Sequence, residues 1–356
     1  MDSGVRVLRG AFIVAAAVLL AAPAAWADFS IETVPVGNTG NTGEWSGESY
    51  GGWGPDRICG AVDYAYNIGT YEVTAGQYCA FLNAVDPNGS NTDGLYNSSM
   101  DSSSYGCQIT WNAGASTYDF SGGTVEAPGS TAADWENRPV NYVSWYDAAM
   151  FANWLTTGSI HQGAYDTSAG AGWGGSDAGN YTGIDRASAI STYGKVYVIP
   201  TEDEWYKAAY YNPAGPVYYD YPTSSDTAPS NDLTTPDDGN NATFYDNGDT
   251  IGSPYYRTEM GAHENSESPY DTFDQGGNVW EWNEALIGSY RGLRGGSFSG
   301  SGDGSDLHAP SRFYLNPSYE SYGVGCRVSA VPEPATMGLL ALGGLGMLIR
   351  RRSAGR

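Results

Sequence analysis

Two segments constrain the fold of this chain more than any other: DPNGSNTDGLYNSSMDSSSYG, residues 86–106, and NPAGPVYYDYPTSSDTAPSNDLTTPDDGNN, residues 212–241. Both exceed ordinary connection lengths, and both are built from Gly, Asn, Asp, Ser and Pro, which favour turns over ladders or helices. A domain carrying such connections needs staples beyond sheet and helix packing, in the form of aromatic contacts, disulfides or a bound metal. The chain has 11 Trp and 28 Tyr to supply the first of these.

Regular patterns between the loops are short. YAYNIGTYEV (64–73), KVYVIP (195–200) and GVGCRVSAV (323–331) read as strands. TAGQYCAFLNAV places Tyr78, Phe81, Leu82 and Val85 on one helical face behind a Thr74 N-cap. SWYDAAMFANWL starts with Ser144 answered by Asp147, and PTEDEWYKAAYY with Thr201 answered by Glu204, both capping-box spacings. In SWYDAAMFANWL, Trp145, Ala148, Ala149 and Ala152 line one face. No repeat of fixed period is present, so residues 28–330 read as one domain.

Sixteen Lys and Arg against 40 Asp and Glu give a formal net charge of −24. Such a surface repels phosphate backbones, which argues against nucleic acid as a partner. Both ends are basic. Arg6 and Arg9 precede the apolar run AFIVAAAVLLAAPAA and the small-residue site AWA, which is the pattern of a secretory signal peptide over residues 1–27. At the other end, VPEP is followed by an apolar stretch from Ala335 to Ile349, too short for an ordinary ~20-residue span, and then by Arg350, Arg351 and Arg352. Residues 331–356 resemble the PEP-CTERM sorting signal of Gram-negative bacteria. That resemblance implies recognition by an exosortase, a transient inner-membrane anchor through the C-terminal helix, and delivery to the cell surface or extracellular matrix.

Four cysteines, Cys59, Cys79, Cys107 and Cys326, suit an exported protein with up to two disulfides, in any of three connectivities. No CxxC spacing marks a zinc or thioredoxin-like site. His161, His263 and His308 are scattered, and only His308 lies near a glycine-rich loop, RGGSFSGSGDGSD (294–306).

Taken in order, NIGTYEVTAGQYCAFLNAV, RPVNYVSWYDAAMFANWL, VIPTEDEWYKAAYY, SPYDTFDQGGNVWEWNEA, RGLRGGSF and GVGCRV resemble the successive signatures of the formylglycine-generating enzyme, or sulfatase-modifying factor, domain. The resemblance implies an α+β fold, a loop-rich variant of the C-type lectin fold with little regular secondary structure, held by calcium. It assigns one calcium to Asp274, Gly277, Val279 and Glu281, and a second to Asn241, Ala242, Asp249 and Ile251. The residues themselves leave another reading open, in which Asp274 caps a turn and Glu281 pairs with an arginine such as Arg294. Catalytic members of the family carry two cysteines after RGGS that hold copper and exchange with a substrate thiol. Those positions are Gly300 and Ser305 here, and neither residue binds copper(I) or exchanges thiols. Copper is therefore not expected. The surviving cleft is expected beside Ser297 and Arg312. These features point to a non-catalytic, calcium-stabilised binding or matrix module for a glycan or peptide ligand. The competing reading is a formylglycine-generating oxidoreductase, or another catalyst, using the same cleft.

Overall fold

Three hydroxyl side chains start the three main helices where the sequence spacing places them. In the computed structural model, which describes residues 30–121, 131–167, 183–300 and 302–331, strands β1 (Thr33–Val36), β2 (Glu44–Ser46), β3 (Arg57–Cys59) and β4 (Tyr66–Gly69) precede helix α1 (Ala75–Val85). A short helix α2 (Ser99–Ser102), the hairpin β5 (Thr110–Asn112) and β6 (Thr117–Asp119), and a short α3 (Ala133–Glu136) lead to α4 (Trp145–Thr157). Next come α5 (Arg186–Tyr193), β7 (Val196–Val198) and α6 (Glu202–Tyr210), followed by the hairpins β8 (Tyr211–Asn212) with β9 (Val217–Tyr218) and β10 (Trp280–Ile287) with β11 (Tyr290–Arg294). The last strands are β12 (Phe313–Leu315), β13 (Val324–Gly325) and β14 (Ser329–Val331). Met1–Ser30 and Ile31–Arg356 separate as two units, and the description concerns the second.

Thr74, Ser144 and Thr201 each accept from the amide three residues on, at 3.2, 3.1 and 3.0 Å, and in each case the answering side chain accepts from the capping residue's own amide. Reciprocal caps of this kind satisfy amides that the helix itself leaves unpaired. They fix where α1, α4 and α6 begin.

Two four-stranded sheets organise the rest. The first runs β1-β4-β14-β7, so that the last strand of the domain lies between β4 and β7 and ties the two ends together. The second runs β12-β11-β10-β13, with β13 parallel to β10 and the others antiparallel. Its hairpin turns over Gly288, at φ 62°, with Ile287 opposite Tyr290. Packing is aromatic: Phe81 of α1 meets Phe151 and Trp154 of α4 at 5.2 and 5.3 Å between centroids. Trp145, Trp205 and Trp282 are fully buried, and each indole N–H donates a hydrogen bond, to Asn283 O, to the Glu281 carboxylate and to Val143 O.

All four cysteines are free and buried, so the room left for two disulfides is not used. Cys59 accepts from Arg294, and Cys79 donates to Tyr118 O at 3.3 Å. Burial pushes the Cys79 thiol up to about 12 and the Cys59 thiol up to about 11, which keeps both protonated. The leader over residues 1–27 and the anchor from Ala335 lie outside the described residues. Among the described residues no helix is long and apolar enough to cross a membrane.

Candidate functional site

The loop after β11 is shaped by two glycines. Gly295 and Gly296 hold φ 99° and 78°, and a Cβ on either would collide, with Gln275 O at 2.5 Å and with Leu307 Cδ1 at 2.9 Å respectively. The bend presses the chain against the Asp274–Asn278 segment, where Gly277 N donates to Gly295 O and Phe298 N donates to Asn278 O. Ser297 is buried, with its Oγ 3.4 Å from Ser299 Oγ. Tyr105 and Tyr322 close over Phe298, each 5.9 Å away between centroids.

Neither position where the resemblance places a catalytic cysteine carries a thiol. A Cβ on Gly300 would stand 2.7 Å from an oxygen of Asp306, so a side chain there requires that carboxylate to move. Ser305 opens a short 3-10 turn through Leu307, its amide donating to Asp303 and its carbonyl accepting from Ser311 Oγ at 2.6 Å. A copper ion needs thiolates here, and the four thiols lie in the core instead. The residues do not fit copper.

Arg312, expected to line the cleft, is buried in a charge cluster. Its guanidinium donates to both oxygens of Glu202, at 2.6 and 2.7 Å, and to Pro55 O. Arg294 donates to the same carboxylate at 2.8 and 3.0 Å, and Arg57 at 2.8 Å. Burial works to raise the Glu202 carboxyl, but Arg294, Arg312 and Arg57 outweigh it and bring the group down to about 2. Ser297 and Arg312 therefore do not form the two walls of an open cleft. A cavity of about 540 Å³ lies elsewhere, between α1 and β6, lined by Cys79, Asn83, Tyr118 and Glu136 among others.

The segment expected to hold the first calcium is the second charge cluster. Glu281 faces Arg294 across the β10–β11 ladder, yet its partner is Arg327, which donates to both Glu281 oxygens at 2.9 Å, and Trp205 Nε1 adds a bond at 2.7 Å. The same guanidinium donates to Gly69 O and Phe273 O, joining three segments as a bound cation would. Asp274 is held at φ 59° and accepts from the Gly261 amide; burial raises its carboxyl. Glu72, which the sequence reading placed on a strand, turns into the same cluster and accepts from the Val279 amide at 3.2 Å. Burial, and then the charges of Glu281 and Asp274, push Glu72 well above the usual carboxylate range. Arg327 and Trp205 thus engage both oxygens of Glu281, in the segment where the resemblance places a calcium on Asp274, Gly277, Val279 and Glu281.

The second expected set runs from buried Asn241 and Ala242 to a more exposed turn at Asp249 and Ile251. The amide nitrogen of Asn241 donates to Asp237 and Asp238, the Ala242 carbonyl accepts from Thr250 Oγ1, and Asp249 is exposed at a bridge to Tyr245, two residues before Ile251. Among the described residues no three His, Cys, Asp or Glu side chains gather to hold a metal. His263 is buried on Thr243 Oγ1, and His308 stands 3.8 Å from Asp220 rather than on the aspartates of its own loop.

Sequence reasoning missed the Glu202 cluster because Glu202 sits in the first turn of α6, where an acidic residue reads as a helix-end charge. The signal in hindsight is that the domain has only a handful of arginines, three of which meet there. A model of the sulfatase-modifying factor enzyme 1-like domain matches residues 33–330. The chain belongs to the sulfatase-modifying factor family. Its α+β, loop-rich architecture is the family's, and a PEP-CTERM protein-sorting motif matches residues 330–352, which implies export and sorting to the surface of a Gram-negative cell by an exosortase. Solved structures similar to it include Treponema denticola variable protein 1, at 20% identity over 84% of this chain and 95% of that one with TM-score 0.48. CarF matches at 18% identity over 85% and 99% with TM-score 0.47, and PvdO from Pseudomonas aeruginosa at 16% over 84% and 93% with TM-score 0.43. No curated protein matches the chain in sequence.

Proposed function

We propose that this exported protein is a non-catalytic binding module, a sulfatase-modifying-factor scaffold without the family's oxidation chemistry. The observation that carries the reading is the pair Gly300 and Ser305, with the Asp306 carboxylate filling the space beside Gly300. A copper-dependent thiol oxidation needs thiolates at those two points, and buried thiols elsewhere, held protonated by desolvation, do not substitute. The rest of the site is built for holding shape: Arg294 and Arg327 join strands, loops and α6 through fully buried ion pairs. Aerobic incubation of the full chain with a cysteine-containing sulfatase-motif peptide and copper, followed by mass spectrometry, tests the reading. The expected spectrum shows the peptide thiol unchanged apart from disulfide formation; conversion to the aldehyde with turnover overturns it.

A further inference from the structure

The exposed large apolar side chains of this domain are mostly aromatic, and four rings form a continuous run around one sheet edge. β12 is the outer strand of the second sheet, pairing Leu293 with Phe313 and Gly292 with Tyr314. Trp280 and Phe313 lie on one face with ring centroids 5.3 Å apart, Tyr290 and Tyr314 on the other at 5.6 Å, and the two pairs meet at the edge, where Phe313 and Tyr314 are 6.4 Å apart. Phe313, Tyr314 and Tyr290 are each about two-fifths exposed, at 41, 37 and 42%. Trp53, at 54%, joins the start of the same strand, because its carbonyl accepts from Arg312 N. Leaving this much ring surface in water costs free energy that a partner would recover.

The chemistry of the surface selects the partner. The segment FYLNPSY that builds it, residues 313–319, contains no charged residue, and the arginine beneath it, Arg291, is buried with its guanidinium over Trp145 and a bond to Glu284 O. A neutral surface on a chain of net charge −24 offers nothing to an anionic polymer or an anionic membrane. A partner adding a strand to β12 finds three residues only, with Trp53 paired just before them and Pro317 just after. What remains suited is a ligand that offers flat C–H faces to the rings and hydroxyls to the tyrosine oxygens, the exposed Asn316 and Ser318 side chains and the free strand edge.

Resting on the binding-module reading, we infer that this aromatic edge, Trp280, Phe313, Tyr314 and Tyr290 with Trp53 beside it, is a docking surface for an uncharged polysaccharide. Neighbouring ring planes are tilted by 34, 30 and 44° from one to the next, so the rings do not form one flat plate.

Affinity electrophoresis of the full chain through gels containing hydroxyethylcellulose, dextran or a soluble β-1,3-glucan, with alginate as the anionic comparator, tests the inference. At least one neutral polymer should retard the protein. The Phe313→Ala/Tyr314→Ala variant should lose roughly tenfold in apparent affinity while its thermal unfolding stays unchanged, since the rings removed are exposed. If that variant fails to fold, Trp53→Ala alone should still weaken retardation roughly threefold. Retardation by none of the neutral polymers, retardation by alginate alone, or full retardation of the ring variants overturns the proposal, and so does a dimer in sedimentation that those substitutions abolish. Such failures leave the peptide assay untouched, whereas aldehyde formation there sinks the non-catalytic reading whatever the gels show.

Discussion

Arg294 and Gly300 are six positions apart, and they belong to regions that the chain treats in opposite ways. At Arg294 the charged groups are engaged: the guanidinium spans Glu202, Ala309 O, Ser311 O and Ser46 Oγ, and across the hairpin Glu281 is held by Arg327 and Trp205. Helix α6 couples the two clusters, since Glu202 bonds Arg294 while Trp205, one turn on, bonds Glu281. Beyond Phe298 the chain becomes partly exposed, and Gly300 and Ser305 stand there at the positions the resemblance gives to cysteines. On the reading proposed above, fold and chemistry part company within a few residues of one strand end.

The largest effect should come from breaking the framework. Glu202→Gln leaves Arg57, Arg294 and Arg312 around a neutral amide, and urea unfolding should show a loss of about 3–5 kcal/mol. A loss under about 1 kcal/mol would mean the clusters do not hold the fold.

Next is the dependence on pH, where the two clusters act with opposite sign. Glu202 is brought from 4.5 down to about 2, so its contribution, about 3 kcal/mol, is complete above its unfolded value and is lost as pH falls from about 4.5 towards 2. Glu72 and Asp274 are raised, so the folded state binds protons more readily than the unfolded chain, and their cost grows as pH rises through their folded values. Stability followed by urea unfolding should therefore climb as pH is lowered from neutral, then drop steeply below about 4.5. Glu72→Gln should flatten the first arm and leave the second. A profile flat down to pH 3 would contradict the Glu202 assignment.

A smaller effect is expected in the loop. Gly300→Ala should cost about 1 kcal/mol because the new methyl meets Asp306, and the cost should shrink in an Asp306→Ala background. Equal costs in both backgrounds would mean that Asp306 does not fill the position. Smallest of all, a chelator should move the melting temperature by no more than about 2 °C, because Arg327 already joins the loops that calcium was expected to join. A larger fall would restore a metal to the account.

How much of this was legible in the sequence depended on the range of the interaction. The caps at Thr74, Ser144 and Thr201 are three-residue events, and they appear where the spacing puts them. The strands around Tyr66, Val196 and Ser329 were legible as apolar runs, though not that β14 would lie between the other two. The β10–β11 hairpin was obscured because WEWNEALIGSYRGLR opens with Glu281, an expected metal ligand, whose reading as an oxygen donor hides its place in a ladder. Partner choice was the least legible. Glu281 with Arg327 and Glu202 with Arg294 are 46 and 92 residues apart, and only the folded topology decides which arginine reaches which acid.

The central claim, that the family's scaffold persists here without its copper chemistry, is tested most directly by a copper(I) competition titration on the reduced full chain against a chromogenic chelator. The account predicts that the chelator keeps all the copper while the protein stays folded. One equivalent of copper(I) retained by the folded protein, and lost on substituting Ser305 or Asp306, would contradict it.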